Sequence, residues 1–542
     1  MTRAAVKFVS CAVWMTSMVG CQSTPTNTAG QPVATAAATP AGTVPVTPVV
    51  NNPAAAVGGG SAAAVGQVPT RPVVPSAGSN AGDIPVVPNG AAGAAVPPLA
   101  AGAGAVGVAG AGAPPTGVPV TPGTDAAGDW RMMGYDLGST YLNTAETAIT
   151  KETAAKLDVA WTADMGGNVN GGALQIGDKI YATAPGSVRG FDAASGMQLW
   201  KTNVGSTSTL GYADGTLFIN DNGGKMVALS AADGKMLWSK AHDKQMTDGS
   251  SSAIPVGDVL LIGGSNGVAE LSGGGTFRGY VSALNRMTGD ILWTTYTVPE
   301  NARGASFWSS LSASVEEGLV FGGSGNNYGS PATDTSDAII AFDLKTGAIK
   351  WKNQRVMGDT FGGGVGPDSD FGANPVLYET MVAGQLTKLV ADGAKGGTVH
   401  ALRRDSGMLV WTRNLCRGSA DGSQGIFTNF GWTGKDLIVA CNEGGPATLY
   451  ALNGATGEIS WMRKLSGQVF GRTAFVHGVG FVGTGTSLEA FDVATGAVIK
   501  SWKAKGTIAS TITVAHGRVA FGEGLSWSSG VRGSTLTVLA IK

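Results

Sequence analysis

From Trp161 to the C-terminus the chain repeats one pattern of apolar and polar positions: an apolar run, a polar turn ending in Gly, and a short run ending in Trp. The copies read GFDAASGMQLW to Trp200, ALSAADGKMLW to Trp238, ALNRMTGDILW to Trp293, AFDLKTGAIKW to Trp351, ALRRDSGMLVW to Trp411 and ALNGATGEISW to Trp461. A seventh, AFDVATGAVIKSW, is stretched by two residues and ends at Trp502. Alternation of apolar and polar residues predicts strands with one face turned inward. The Asp/Asn-x-x-Ser/Thr-Gly tract predicts a hairpin turn, with Gly free to take positive φ. The Trp is expected to cover the junction with the neighbouring sheet. Helical periodicity is nearly absent.

Successive Trp residues lie 38 to 60 positions apart, enough for a four-stranded sheet plus loops. Two ends remain unmatched. LDVAW, ending at Trp161, reads as a last strand without its first three, and STLTVLAI at the C-terminus reads as a third strand without its fourth. Pairing them completes an eighth unit and closes the ring, which removes exposed sheet edges. The pattern therefore predicts an all-β, eight-bladed propeller over residues 127–542, with N- and C-terminal strands sharing one blade.

Composition divides the chain. Residues 22–126 hold no aromatic residue, three charges (Arg71, Asp83 and Asp125) and 17 of the 24 prolines, whereas twelve of the thirteen tryptophans lie from Trp130 onward. The first stretch lacks the apolar bulk to offset chain entropy and is expected to be a disordered tether over 21–126. Arg3 and Lys7 precede an apolar run from Phe8 to Val19, too short to span a bilayer and laid out as a signal peptide over residues 1–20. It ends in Met18-Val19-Gly20-Cys21, which resembles the lipobox of bacterial lipoproteins and implies lipidation of Cys21. The alternative is an ordinary cleavage site beside an incidental cysteine. The expectation is an exported lipoprotein, on the periplasmic or cell-surface side of the outer membrane. After loss of Cys11, Cys416 and Cys441 remain in an oxidising compartment, either disulfide-bonded or as two buried thiols. Net charge is −1 with dispersed basic residues, which argues against nucleic-acid binding, and the four histidines lack zinc-ligand spacing.

The copies resemble the repeats of pyrroloquinoline-quinone (PQQ) enzymes, and DWRMMGYDLGSTYLN at 129–143 resembles that family's opening segment. Within the family the likeness is to polyvinyl-alcohol dehydrogenases, carried by TFRGYVSALNRMTGDILWTTYTVPE, FGGSGNNYGSPATDTSDAIIAFDLKTG and PDSDFGANPVL. The resemblance implies PQQ beside Ca²⁺, which together need hard oxygen ligands, an aromatic floor, a cation near the quinone oxygens and a carboxylate base. It places Glu270 (GVAEL) and Asn326 (SGNNY) as calcium ligands and Trp308 (ASFWSS) as the stacking ring. Asp334 in ATDTSD is the implied catalytic carboxylate and a further metal ligand, with Asp337 its rival. Arg278 (TFRG) and Lys395 (GAKGG) are the implied cationic contacts to the quinone. Each has a plainer alternative: blade packing for Trp308, turn chemistry for Asn326, solvated loop charges for the rest.

Two departures bear on this. Gly274 and Gly275 stand where many quinoproteins carry a bonded pair of adjacent cysteines, and no Cys-x-x-Cys-His is present for a covalently attached haem. Electrons would leave through a separate acceptor. The expected activity is a PQQ- and Ca²⁺-dependent dehydrogenase of a secondary alcohol or polyol, the substrate a small or polymeric alcohol. The alternatives are a cofactor-free propeller lipoprotein that binds protein partners, as outer-membrane assembly lipoproteins do, and a quinoprotein that has kept the fold and lost the site. Fold alone does not choose between them.

Overall fold

The computed structural model describes residues 127–272, 275–362, 368–418, 424–426, 431–526 and 530–542. The signal peptide, Cys21, the tether and Gly274 lie outside the described residues. The described residues form eight four-stranded antiparallel sheets. Seven are built from consecutive strands, spanning 173–202, 211–241, 254–296, 312–354, 376–414, 431–464 and 474–503; these are blades 1 to 7. Blade 8 takes three strands from the C-terminus and its outermost strand, Leu157–Asp164, from the start of the ring. Leu157 pairs with Ile541 and Trp161 with Val538 along Thr535–Ile541. The closure expected from the two unmatched ends is the one observed.

The repeated tract makes the hairpin between third and fourth strands. In blade 4 the Asp343 side chain accepts from the backbone N–H groups of Lys345 and Thr346 at 3.0 Å, and Asn285 and Asn453 act likewise in blades 3 and 6. The turn glycine meets two constraints at once. Gly347 has φ +72°, and a Cβ there would drive into the ring of Trp293 in the preceding blade. Trp161, Trp200, Trp238, Trp351, Trp411 and Trp461 stand over the corresponding glycine of the next blade in the same way. Trp293 Nε1 also donates to Leu344 O (3.1 Å), and Trp161, Trp200, Trp351, Trp411 and Trp461 donate likewise, so these rings are both packed and hydrogen-bonded onto the neighbouring turn. The stretched seventh copy has a reason. Blade 8 has no third-to-fourth hairpin to cover, and Trp502 Nε1 donates instead to Leu157 O (3.3 Å) at the closing strand.

The expected alternation holds only for outer strands. Leu157–Asp164 alternates partly between buried and exposed, but second and third strands such as Val259–Gly264 and Ala338–Asp343 are buried on both faces. Neighbouring blades cover both faces of every inner strand, so these read as nearly continuous apolar runs.

Residues 130–143 form a further layer that the repeat does not predict. Backbone hydrogen bonds run between Trp130 and Gln175 in blade 1, Arg131 and Tyr212 in blade 2, Leu137 and Ala313 in blade 4, Gly138 and Leu377 in blade 5, Thr140 and Trp432 in blade 6, and Tyr141 and Phe475 in blade 7. Met132 packs with Ile254 and Val256 of blade 3, and Asn143 Nδ2 donates to Val514 O of blade 8 (2.8 Å). The segment thus visits the innermost strands of all eight blades in order.

Candidate functional site

Antiparallel blades put two classes of loop on one face of the ring: those between second and third strands, and those linking one blade's fourth strand to the next blade's first. Every clustered polar residue described below comes from these loops. Glu270 lies on a short helix, Gly267–Leu271, in the second-to-third loop of blade 3. Asn266 caps it by accepting from Ala269 N, and Asp248 accepts from Gly267 N (3.0 Å) and Ser265 Oγ (2.6 Å). Ala269 packs with Tyr328, which brings this helix against the loop that carries Asn326. Burial pushes the Glu270 carboxyl well above the ordinary carboxylate range, opposed by the Lys395 charge and reinforced by Asp370 and Asp368.

Trp308, in the link from blade 3 to blade 4, packs against Phe470, Ala509 and Leu525 from loops between and within blades 6 to 8. Reaching that far side of the ring puts its indole on the axis. Its Nε1 donates to Asp370 Oδ2 (2.7 Å), and Lys395 Nζ sits 4.8 Å from the ring centroid. Lys395 Nζ also contacts Asp368 Oδ1 and Oδ2 (2.9 and 3.1 Å) and Asp370 Oδ1 (3.0 Å). Burial disfavours the lysine charge, but Asp368 and Asp370 more than offset this and hold the ammonium above its usual value.

Two buried side chains on the second-to-third loop of blade 4 keep oxygens without a geometrically formed hydrogen bond. Asn326 Nδ2 donates to Phe361 O (3.2 Å), leaving Oδ1 without a partner. Asp337 is fully buried and neither of its oxygens has a protein partner with hydrogen-bond geometry. Burial, reinforced by Asp359 and Asp370, pushes its carboxyl up to about 9. Orphaned buried oxygens are costly, and a cation or a polar ligand would satisfy them.

The remaining expected residues sit elsewhere. Asp334 is 71% exposed and ion-paired with Lys352 at 2.6 Å, so it does not join Glu270 and Asn326. The correction has a simple cause. The chain turns between them through Thr335 and Ser336, both buried, and only the second carboxylate of ATDTSD points inward. Arg278 spends its guanidinium on Val298 O (3.0 and 2.7 Å) and on the face of Tyr296, 4.2 Å away. Cys416 and Cys441 are disulfide-bonded, with Cα atoms 6.4 Å apart. Asp359, Asp368 and Asp370 were not singled out as site residues, although PDSDF stood among the strings that carried the resemblance. Their place in a fourth-to-first link was the usable signal.

Among the described residues no group of three or more His, Cys, Asp or Glu side chains lies within reach of one metal ion. The donors that fit a hard cation are the half-buried Glu270 carboxyl group and the orphaned amide oxygen of Asn326. An aromatic ring with an ammonium beside it fits a planar anionic quinone.

A family model described as outer membrane protein assembly factor BamB, built on PQQ-like repeats, matches residues 147–360 and 395–537. The chain belongs to this family. Proteins similar to it include a polyvinylalcohol dehydrogenase from Sphingopyxis sp. (strain 113P3), 31% identical over 222 residues, which are 34% of this chain and 33% of that enzyme. The chain thus spans about a third of that relative's length in the match. The solved quinohemoprotein alcohol dehydrogenase of Comamonas testosteroni superposes with a TM-score of 0.66 at 17% identity, over 77% of this chain and 81% of that one. BamB from Moraxella catarrhalis superposes at 0.50 and 18% identity, over 71% and 98%. Both superpositions are likenesses of fold. In sequence, proteins named as polyvinylalcohol and quinohemoprotein alcohol dehydrogenases match about a third of the chain.

Proposed function

We propose that the protein is a PQQ-dependent alcohol dehydrogenase that uses Ca²⁺, acting on a secondary alcohol or polyol and passing electrons to a separate acceptor. The observation that carries this reading is the axial Trp308 ring flanked by Lys395 and Asp370, with Glu270 and the orphaned Asn326 oxygen on adjoining loops. When bound, PQQ accepts two electrons from the substrate carbon and Ca²⁺ polarises the quinone as a Lewis acid. Glu270 and Asn326 would hold the cation. Trp308 offers a face for stacking, fixed in the plane set by its bond to Asp370. Lys395 remains charged between Asp368 and Asp370 and would set its positive charge beside oxygens lying over that ring. Asp337, not Asp334, is the carboxylate suited to take the alcohol proton. It is buried, with its pKa pushed up to about 9, and once ionised it is a stronger base than an exposed carboxylate. The lipidated Cys21 and the export signal are part of the same proposal: an enzyme tethered at the outer membrane.

The test is reconstitution of the purified full-length protein with PQQ and Ca²⁺, followed by bound-quinone absorbance. Binding is expected in the wild type and lost in Glu270→Ala. The description of the matched family supports a second reading, a cofactor-free scaffold for protein partners. Failure of PQQ to bind in excess Ca²⁺ would leave that reading, or a quinoprotein that has lost its site.

A further inference from the structure

The disulfide lies beside the candidate site rather than out in the blades. Cys416 follows the outer strand of blade 5, and Cys441 ends the second strand of blade 6. Both are buried. Around Cys416 the chain folds over the loop that carries Lys395. Gly397 O accepts from Leu415 N (2.9 Å) and Cys416 N (3.4 Å), and Ile426 N donates to Ala394 O (3.3 Å). Gly418 and Gly425 press against the carbonyl of Lys395 itself, so closely that a Cβ on either would collide with it. Around Cys441 the contacts lead elsewhere. Asn442 exchanges two backbone hydrogen bonds with Gly425 (2.8 and 3.0 Å), and its side chain exchanges two more with the backbone of Val469 (2.9 and 3.0 Å). Val469 precedes Phe470, which packs on Trp308. The two half-cystines therefore stand behind two different contacts to one ring: Lys395 through the first, Phe470 through the second.

We infer that Cys416 and Cys441 are positioning residues of the site, their bond clamping the Lys395 loop to the Phe470 loop so that both stay seated on Trp308. The bond joins blades 5 and 6 at the loops beside the axis and adds a covalent link to the Gly425–Asn442 bridge between them. The consequence for cofactor binding rests on the dehydrogenase reading; the clamp itself does not.

The test uses the full-length protein and two readouts. The first is the rate at which Lys395 is reductively methylated, read by mass spectrometry, with Lys352 and Lys500 as internal controls. The second is PQQ affinity in the presence of Ca²⁺. In a Cys416→Ala/Cys441→Ala double variant, labelling of Lys395 should accelerate at least tenfold while the controls stay unchanged, and PQQ should bind at least tenfold more weakly. A phosphine reductant applied to the folded wild type, with two free thiols verified by mass, gives the same comparison without requiring the variant to fold. Unchanged protection of Lys395 with the bond broken overturns the clamp, as does an acceleration shared equally by the control lysines, which would mark general loosening. If PQQ binds none of these proteins, the dehydrogenase reading fails and the labelling still decides the clamp.

Discussion

Asp337→Asn isolates the most unusual group in the site. The wild-type carboxyl is held protonated by burial and by its acidic neighbours, with its pKa moved from 3.8 to about 9. A carboxyl raised on folding adds stability that is fully present below the unfolded pKa and is lost as pH rises towards the folded one. The window here is therefore about pH 4 to 9. Across it the native state keeps a proton that the unfolded chain releases, so stability falls with a limiting slope of about 1.4 kcal/mol per pH unit. From pH 5 to 8 that amounts to about 4 kcal/mol as an upper bound. Asparagine has the same shape, tolerates the φ of +50° found there, and titrates nowhere in this range. The assay is urea unfolding followed by tryptophan fluorescence at several pH values, with a chelator present. The variant should gain on the wild type steadily as pH rises and be the more stable protein at pH 8. Parallel stability curves would refute the claim that Asp337 is a buried, proton-holding carboxyl.

Three further outcomes are expected. Gly347→Ala combines a positive-φ strain with a collision against Trp293 and should cost about 2–4 kcal/mol by denaturant midpoint, whereas Lys345→Ala in the same turn should stay within about 0.5 kcal/mol. Deleting residues 536–542 removes most of Thr535–Ile541 and unpairs Leu157–Asp164, so the truncated protein should aggregate; a wild-type melting temperature would contradict ring closure. Cys21→Ser should move the protein from the membrane fraction to the soluble fraction, and an unchanged distribution would remove the lipid anchor from the proposal.

The fold was legible because its signal is periodic. The turn tract and its Trp recur with every blade, and even the irregular copy at Trp502 marked a real irregularity, the junction without a hairpin. Alternation was the weaker guide, since strands such as Val259–Gly264 are covered on both faces and keep no polar side to display. At the site, Glu270, Asn326, Trp308 and Lys395 all emerge on one face because their loop types place them there. Asp334 and Asp337 show where such reasoning stops. They are three residues apart on one loop, and which carboxylate turns inward depends on backbone dihedrals that no pattern of residue types encodes. Asp368 and Asp370 were hidden differently. The link between Ile349–Gln354 and Val376–Val382 is long and aperiodic, so nothing in its composition gives the depth of any residue.

The segment that visits every blade also sets the face on which the chain joins the ring. Gly177, in the first-to-second turn of blade 1, donates its N–H to Asp129, and His516, in the matching turn of blade 8, bonds the same carboxylate at 2.7 Å. Those turns lie on the face opposite the loops that carry Trp308 and Lys395. The folded disc is therefore gripped from behind. The chain joins the disc on one face and leaves the loops around Trp308 and Lys395, on the other, clear of that junction.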